Sequence, residues 1–194
     1  MEPLDADLDQ LSDDSLMVLF ANGDSGAARI LTARLLPRVL SHAARVLGDR
    51  AEAEDVAQEA MLRLWHAAGD WQAGGAKPST WLFRVTANLA VDRLRRVGRA
   101  VGLDESAEPE DDDPGPEDRL VDAGRMAALD AALARLPERQ RQAVVLRHIE
   151  GLANPEIAEV LEISIEAVES LTARGKRALA KALAGQKEAL GYDR

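Results

Sequence analysis

The stretch from Pro78 to Arg99 has the period of one long helix, and this restricts the fold more than any other feature of the chain. Apolar residues recur at helical spacing along one side, namely Leu82, Phe83, Ala87, Leu89, Ala90 and Leu94. A second side, which we call the arginine stripe, consists of Arg84, Asn88, Val91, Arg95 and Arg99. The pattern predicts a helix that is buried on one side and cationic on another.

The arginine stripe has the chemistry of a nucleic-acid contact. Arginine donates bidentate hydrogen bonds to phosphate, and the amide of Asn88 can pair in two places with a base edge. Four of the six aromatic residues, Trp65, Trp71, Trp81 and Phe83, lie in or just before this stretch, which suits a strand held partly out of duplex. The alternative is a solvated arginine face over an ordinary core helix.

The composition predicts an all-α protein of the cytoplasm, with no cofactor, metal site or catalytic site. Ala, Leu, Arg and Glu are abundant, and the 46% hydrophobic content is ample for a core. The chain has no cysteine, and His42, His66 and His148 are scattered. It has no run of about 18 apolar residues for membrane insertion and no basic, apolar signal peptide at its start. An enzyme is the least favoured class, because no phosphate-binding glycine loop and no nucleophile with a paired base are present.

The net charge of −10 is concentrated in two segments. Residues 1–14 hold six acids and no base, and residues 103–122 hold ten acids and one base. The remaining residues contain 23 bases and 18 acids, so the helical body is mildly basic. The overall acidity therefore does not argue against nucleic-acid binding.

The same charge pattern predicts two small helical domains joined by a flexible acidic linker. We expect a disordered tail over 1–12, a first domain over 13–99, a linker over 100–116, a second domain over 117–184 and a C-terminal tail over 185–194. Within the domains, Pro37 predicts a kink or local break in a helix from about Ser25 to Leu47. Asp13 or Asp14 is expected to cap the first helix, and Asn154 a later one.

The helix expected from about Ala51 to Ala68 has two distinct sides. One is small and apolar, and the other gathers acids, an amide and two large apolar residues: Asp55, Gln58, Glu59, Leu62 and Trp65. A surface helix needs only one apolar stripe, so this second side predicts a docking surface for another protein. The alternative is that Trp65 covers the end of the domain.

The last helices have the pattern of a helix-turn-helix. A short helix after Ala153, a turn at Glu162-Ile163-Ser164 and a longer helix from Ile165 place basic residues on an outer side. The outward positions are Glu166, Ser170, Ala173, Arg174 and Arg177, with Lys176 adjacent. The alternative is a three-helix bundle without a ligand, in which these bases only complement the helix dipole.

Taken together, these motifs resemble the extracytoplasmic-function (ECF) sigma factors of bacterial RNA polymerase. Three stretches carry the resemblance: AEDVAQEAMLRLW at 53–65, STWLFRVTANLAVDRLRR at 79–96, and the segment from Leu133 to Leu179. In the family they dock on the β′ clamp helices of core polymerase, melt and read the −10 element, and bind the −35 element and the β flap. The resemblance also implies an anti-sigma factor as a partner.

The resemblance assigns roles residue by residue. Asp55 and Gln58 match the positions that face the clamp helices, and Asn88 matches the asparagine that helps to hold a flipped −10 base. The loop from Trp71 to Ser79 matches the wall of that base pocket. Phosphate contacts are implied for Arg84, Arg95, Arg96 and Arg99, and −35 contacts for the outward residues of the last helix.

Two departures from the family affect the expected promoter sequence. Glu169 and Leu171 stand where the family has basic residues, and an acid that faces a groove can accept from a cytosine amine. The loop Gly74 to Pro78 lacks the family's frequent aromatic residue. A decoy that binds an anti-sigma factor without binding DNA is the alternative, although it should lose the five arginines that this chain keeps between residues 84 and 99.

Overall fold

A computed structural model describes residues 8–101 and 117–184, with side chains for 8–96 and 124–184. Its helices are α1 (Asp13–Ala21), α2 (Ser25–Leu47), α3 (Arg50–Ala67), α4 (Pro78–Val101), α5 (Glu117–Ala134), α6 (Glu138–Val144), α7 (Asn154–Leu161) and α8 (Ile165–Ala184). A 3₁₀ turn, Ala68–Asp70, follows α3, and one π-helical turn, Val145–Ile149, continues α6. The part of the chain that is described contains no strand, so the all-α prediction is confirmed.

Most helix ends lie where the sequence places them, but the caps differ. Ser12, and not an aspartate, caps α1 by accepting from the Ser15 amide. The N-cap of α7 is Ala153, whose amide donates to Glu156 at 2.8 Å. Both expected caps were therefore wrong, by one or two positions for α1 and by one position for α7. Ser164 caps α8 by accepting from the Ala167 amide.

The local break expected at Pro37 is absent, because α2 is continuous from Ser25 to Leu47. Proline removes one hydrogen bond from a helix interior. Leu35 and Val39, one on each side, are each 2% exposed, so burial of the helix face offsets that loss.

The first domain packs α2, α3 and α4 around a core that α1 closes. α4 buries Leu82, Phe83, Ala87 and Ala90 and half-buries Leu89 and Leu94, as the apolar period predicts. α3 buries its side of small residues, which allows close approach of α2. Burial of these helices fixes which side of α3 and of α4 is left at the surface.

The second domain has the predicted helix-turn-helix. α7 and α8 meet at a turn in which Glu162 adopts a left-handed backbone, with φ of 54°. Val168 and Gly175 on α8 are buried against the rest of the domain. The two domains also pack on each other, and buried residues from Leu16 to Ala87 form one apolar cluster with buried residues from Ala143 to Val168. The predicted tails and linker fall mainly at 1–7, 102–116 and 185–194, outside the described residues.

Candidate functional site

The predicted docking surface on α3 lies in solvent. It comprises Asp55, Gln58, Glu59, Leu62 and Trp65, of which the first four are exposed. Leu62 keeps 48% of its surface accessible although its side chain is apolar. Trp65 is half-buried, because its ring meets that of Phe20 edge-on at 4.8 Å. Covering the end of the domain explains this ring contact but leaves the exposure of Leu62 unexplained.

An apolar groove of about 420 Å³ lies beside this docking surface, between α2 and α3. Leu36, Leu40 and Met61 line it together with Leu62 and Trp65. Grooves of this kind accept an amphipathic helix of another protein, with polar residues at the rim. The arrangement therefore has the shape and polarity of a protein-docking site.

The arginine stripe of α4 is accessible along most of its length. Asn88 and Arg95 are exposed, and so is Arg96, whereas Arg84 and Val91 are half-buried. The Arg99 side chain lies outside the described part of the chain. Arg95 lies 3.9 Å from Asp92 in an exposed ion pair, which is weak in water. Asn88 and two of the cations are therefore available to a ligand.

Trp71, in the loop before α4, and Trp81, in the first turn of α4, form a small pocket. The rings of Trp71 and Trp81 meet edge-on, with centroids 6.2 Å apart. Asp70, Gln72 and Gly75 line the same pocket, which has a volume of about 360 Å³. The indole Nε1 of Trp71 donates to Asp14 Oδ1 at 3.1 Å, and this bond holds the loop to α1. An aromatic pocket of this size can hold a base taken out of its stack.

The predicted outward residues of α8 are all exposed and share one side of the helix. With about 100° of turn per residue, one arc opposite the buried Val168 contains Glu166, Ser170, Ala173, Arg174 and Arg177. Lys176 lies on a flank, and it lines a shallow pocket with His148 and Ile149. Burial, and then the charges of Lys176 and Arg147, lower the pKa of His148. Glu169 is exposed on the same flank as Lys176.

Glu166 differs from the other outward residues, because its carboxylate turns back onto the start of α8. Hydrogen bonds from its own amide and from Ser164 lower the pKa of Glu166. A carboxylate at this position stabilises the helix N-terminus. Glu166 thus has a local structural role in addition to the predicted one.

The sequence did not reveal that the arginine stripe faces the helix-turn-helix. α7 packs against α4, and a cleft of about 410 Å³ lies between the domains. Asn88 and Arg95 line one wall, and Arg139 and Glu162 line the other.

No helix in the described part of the chain is long and apolar enough to cross a membrane. The same residues contain no cluster of three or more metal-binding side chains.

Comparison with known proteins decides the family. The model of Sigma-70 region 2 matches residues 31–100, and that of Sigma-70, region 4 matches residues 126–179. The ECF RNA polymerase sigma factor SigW of Bacillus subtilis is 34% identical over 149 residues, covering 72% of this chain and 79% of its own length. The chain belongs to the ECF sigma factors of the sigma-70 family. This sigma factor is therefore a promoter-specific transcription initiation factor.

Two further comparisons agree with the family. The ECF sigma factor SigE of Mycolicibacterium smegmatis is 39% identical over 153 residues, which cover 76% of this sigma factor and 58% of SigE. A solved structure of CnrH in complex with the cytosolic domain of CnrY has a TM-score of 0.66 and 28% identity. That match covers 89% of this chain and 97% of CnrH. The sequence-based family assignment is confirmed.

Proposed function

We propose that this sigma factor binds core polymerase through α3 and promoter DNA through α4 and α8. The observation that carries the proposal is the exposure of Asn88, Arg95 and Arg96 on a helix within the region 2 match. We also propose that the two domains extend over residues 13–99 and 117–184. The chain acts in the cytoplasm, without catalysis and without a cofactor or bound metal.

The docking surface on α3 receives the β′ clamp helices of polymerase. Asp55, Gln58 and Glu59 meet the polar and basic residues of the partner, and Leu62 enters its apolar contacts. The groove between α2 and α3 supplies the apolar area that a stable helix contact needs. Because this surface lies on α3, it leaves the arginine stripe free for DNA.

The −10 element is held by α4 and by the loop from Trp71 to Ser79. Arg84, Arg95, Arg96 and Arg99 hold phosphates, which gives affinity without sequence preference and a strong dependence on salt. Asn88 pairs with a base edge, and the pocket at Trp71 and Trp81 receives a flipped base. Flipping costs a few kcal/mol, which pocket contacts and the polymerase's hold on the strands offset.

The −35 element is read by the outward arc of α8. Ser170, Ala173, Arg174 and Arg177 approach the groove, and Glu166 supports the start of the helix. Lys176 contacts phosphate from its flank, next to the shallow pocket at His148 that would receive the β flap. A cytosine preference through Glu169 stays a prediction.

A protein inhibitor is a further partner in this proposal. CnrH was solved together with the cytosolic domain of CnrY, and the likeness to this chain extends over 89% of its residues. We therefore expect an anti-sigma factor that competes with polymerase for the same surfaces.

Two substitutions separate the roles of α3 and α4. Asn88→Ala should lower open-complex formation about tenfold, since a bidentate base contact is worth about 1–3 kcal/mol, while leaving core binding intact. Asp55→Arg should weaken core binding about tenfold by placing like charge at the docking surface. Open-complex footprinting and a core-binding titration measure the two effects.

Glu159→Arg is the matched control for Asp55→Arg. It makes the same change of charge at an exposed position of α7, away from α3, and should leave core binding unchanged. If Asn88→Ala loses core binding as strongly as open complexes, the division of roles between the helices is wrong. If Glu159→Arg loses as much core binding as Asp55→Arg, the loss comes from the change in net charge and not from the docking surface.

A further inference from the structure

The loop between the 3₁₀ turn and α4 is weakly held by its own backbone. Residues 72–75 and Lys77 are exposed. Between residues 72 and 76, the backbone hydrogen bond that the structure describes joins the Gly75 amide to the Gln72 carbonyl at 3.4 Å, which is long for such a bond. Gly74 adopts a left-handed backbone, with φ of 84°. Side-chain contacts therefore have to hold the Trp71 indole at the start of this loop.

Two side-chain contacts hold the half-buried Trp71. Its ring meets Trp81 edge-on, an arrangement that aromatic pairs favour. Its Nε1–H donates to Asp14 Oδ1 at 3.1 Å, across 57 residues of the chain. The ring contact alone lets the indole slide or tilt on Trp81, whereas a hydrogen bond weakens steeply when its donor turns away from the acceptor. Asp14 therefore selects one orientation of the indole in the pocket.

Asp14 lies on a helix that is itself firmly attached to the first domain. Leu16 and Met17 of α1 are fully buried in the core. Asp13 pairs with Arg34 of α2 at 3.0 Å, and Arg34 also donates to two backbone carbonyls just before α1. α1 also contacts the 3₁₀ turn from which the loop leaves. The two neighbouring aspartates thus hold different elements, since Asp13 faces α2 and Asp14 faces the loop.

An acid in the first turn of a helix has an ordinary structural role, which is to complement the helix dipole. Asp13 and Asp14 both lie in the first turn of α1. The dipole explains a carboxylate at either position, but it does not require that Asp14 reach an indole of the candidate base pocket. A hydrogen bond to a charged acceptor is stronger than one between neutral groups, so this bond can hold the ring in place.

We propose that Asp14 is a positioning residue for promoter opening, which holds the Trp71 indole where it forms one wall of the pocket for the flipped −10 base. The inference rests on the proposed role of this pocket. Asp14 acts through Trp71 and not through a contact with DNA. α1 lies outside the Sigma-70 region 2 match, residues 31–100, so the match does not assign it this role. Because the indole is already ordered when the base leaves its stack, opening does not bear the cost of ordering it.

The indole N–H resonance of Trp71 tests the contact in the free full chain. Trp71→Phe identifies this resonance in ¹H–¹⁵N spectra, because it removes one of three indole signals. Asp14→Ala should shift the resonance upfield, since the hydrogen bond is lost. Asp13→Ala is the matched control, because it removes the same side chain one residue away while Arg34 keeps its bonds to the backbone carbonyls. An unchanged resonance in Asp14→Ala, or an equal shift in Asp13→Ala, would overturn the proposal.

Open-complex kinetics test the function, with holoenzyme assembled from core polymerase and the full chain. The DNA is a promoter that this holoenzyme selects from genomic fragments. Asp14→Ala should slow opening about five- to tenfold, as the loss of a hydrogen bond to a charged group predicts, while core affinity and initial promoter binding stay unchanged. Asp14→Asn retains an acceptor oxygen and should recover most of the rate. Asp13→Ala should open the promoter at the rate of the unmodified chain.

A double-mutant cycle with Trp71→Phe separates positioning from stability. Trp71→Phe keeps an aromatic ring but lacks the N–H, so Asp14→Ala should add nothing to the slower opening of Trp71→Phe. Additive losses of rate would overturn the proposal, as would an equal loss in Asp13→Ala, because both results mean that the acid only stabilises α1.

Trp71→Ala distinguishes failure of the inference from failure of the pocket. If Trp71→Ala opens the promoter at the normal rate, the proposed role of the pocket fails and the inference fails with it. If Trp71→Ala is slow and Asp14→Ala is not, the pocket stands and Asp14 has no part in positioning it.

Discussion

His42 is a titratable residue that lies in the core of the first domain. Its side chain is fully buried on α2, meets the Phe83 ring edge-on at 5.6 Å, and has no hydrogen-bond partner for either ring nitrogen. Burial, and then the charge of Arg45, lower the pKa of His42 from 6.5 to about 4. The folded state therefore holds a neutral imidazole at an energetic cost.

Replacing His42 by leucine should stabilise the protein and flatten its acid response. Below pH 6.5 the unfolded state binds a proton that the folded state refuses until about pH 4, so stability falls with pH in that window. Between pH 7 and pH 5 we expect the unmodified chain to lose about 2 kcal/mol more than His42→Leu. Urea unfolding at both pH values measures the difference.

His66→Gln is the control for this prediction, because its side chain is exposed on α3. At pH 7, His42→Leu should gain about 1 kcal/mol by removing an unpaired buried donor. Identical pH dependence in His42→Leu and the unmodified chain would show that His42 is not the acid-sensitive group.

Site residues were predictable where side-chain chemistry and helical period agree. Asn88, Arg95 and Arg96 were expected on an accessible side of α4 and lie there. Lys176 was expected next to the outward residues, and it lies on the flank of their arc. The backbone-facing role of Glu166 was missed, since it depends on where Ser164 ends the turn.

At the scale of elements, α6 and α8 approach so closely at Gly175 that an alanine there would force neighbouring atoms to shift. A Cβ placed on Gly175 would lie 2.5 Å from Val144 Cγ2 and 3.3 Å from the Gln140 carbonyl. Gly175 therefore permits the contact that orients the outward arc of α8. Substitution of Gly175 by alanine tests how far the orientation of α8 depends on this contact.

Gly175→Ala should destabilise the second domain by about 1–3 kcal/mol through overpacking. Gly124→Ala is the matched control, because a Cβ on Gly124 in α5 meets nothing within 4 Å. Helix propensity predicts that this control gains up to about 1 kcal/mol. The midpoint of thermal unfolding, Tm, measures both effects. Equal shifts of Tm with the same sign in the two variants would contradict the close approach of α6 and α8.

Helix positions followed from apolar period, but two local features did not. The break at Pro37 was expected from the missing amide alone, whereas α2 retains its helix through burial on both sides of it. The π turn at Val145–Ile149 leaves no signal in the period of so short a helix. Both depend on tertiary packing, which a sequence pattern does not contain.

At the scale of the whole molecule, the two domains were predicted and their mutual packing was not. The acidic linker predicted two domains and left their arrangement open, and nothing in either domain's period indicated that α7 would pack on α4. The contact depends on pairs such as Arg38 with Glu150, which are 112 residues apart in the chain. Helical spacing relates residues only a few positions apart, so it does not reveal such long-range pairs.

Single-round run-off transcription with purified core polymerase on a pool of genomic promoter fragments tests the central claim most directly. We expect the full chain to select a discrete set of transcripts whose promoters share two elements, and Asn88→Ala to lose that set while still binding core. Core binding by the unmodified chain without any selected transcript would contradict the account and would favour a decoy.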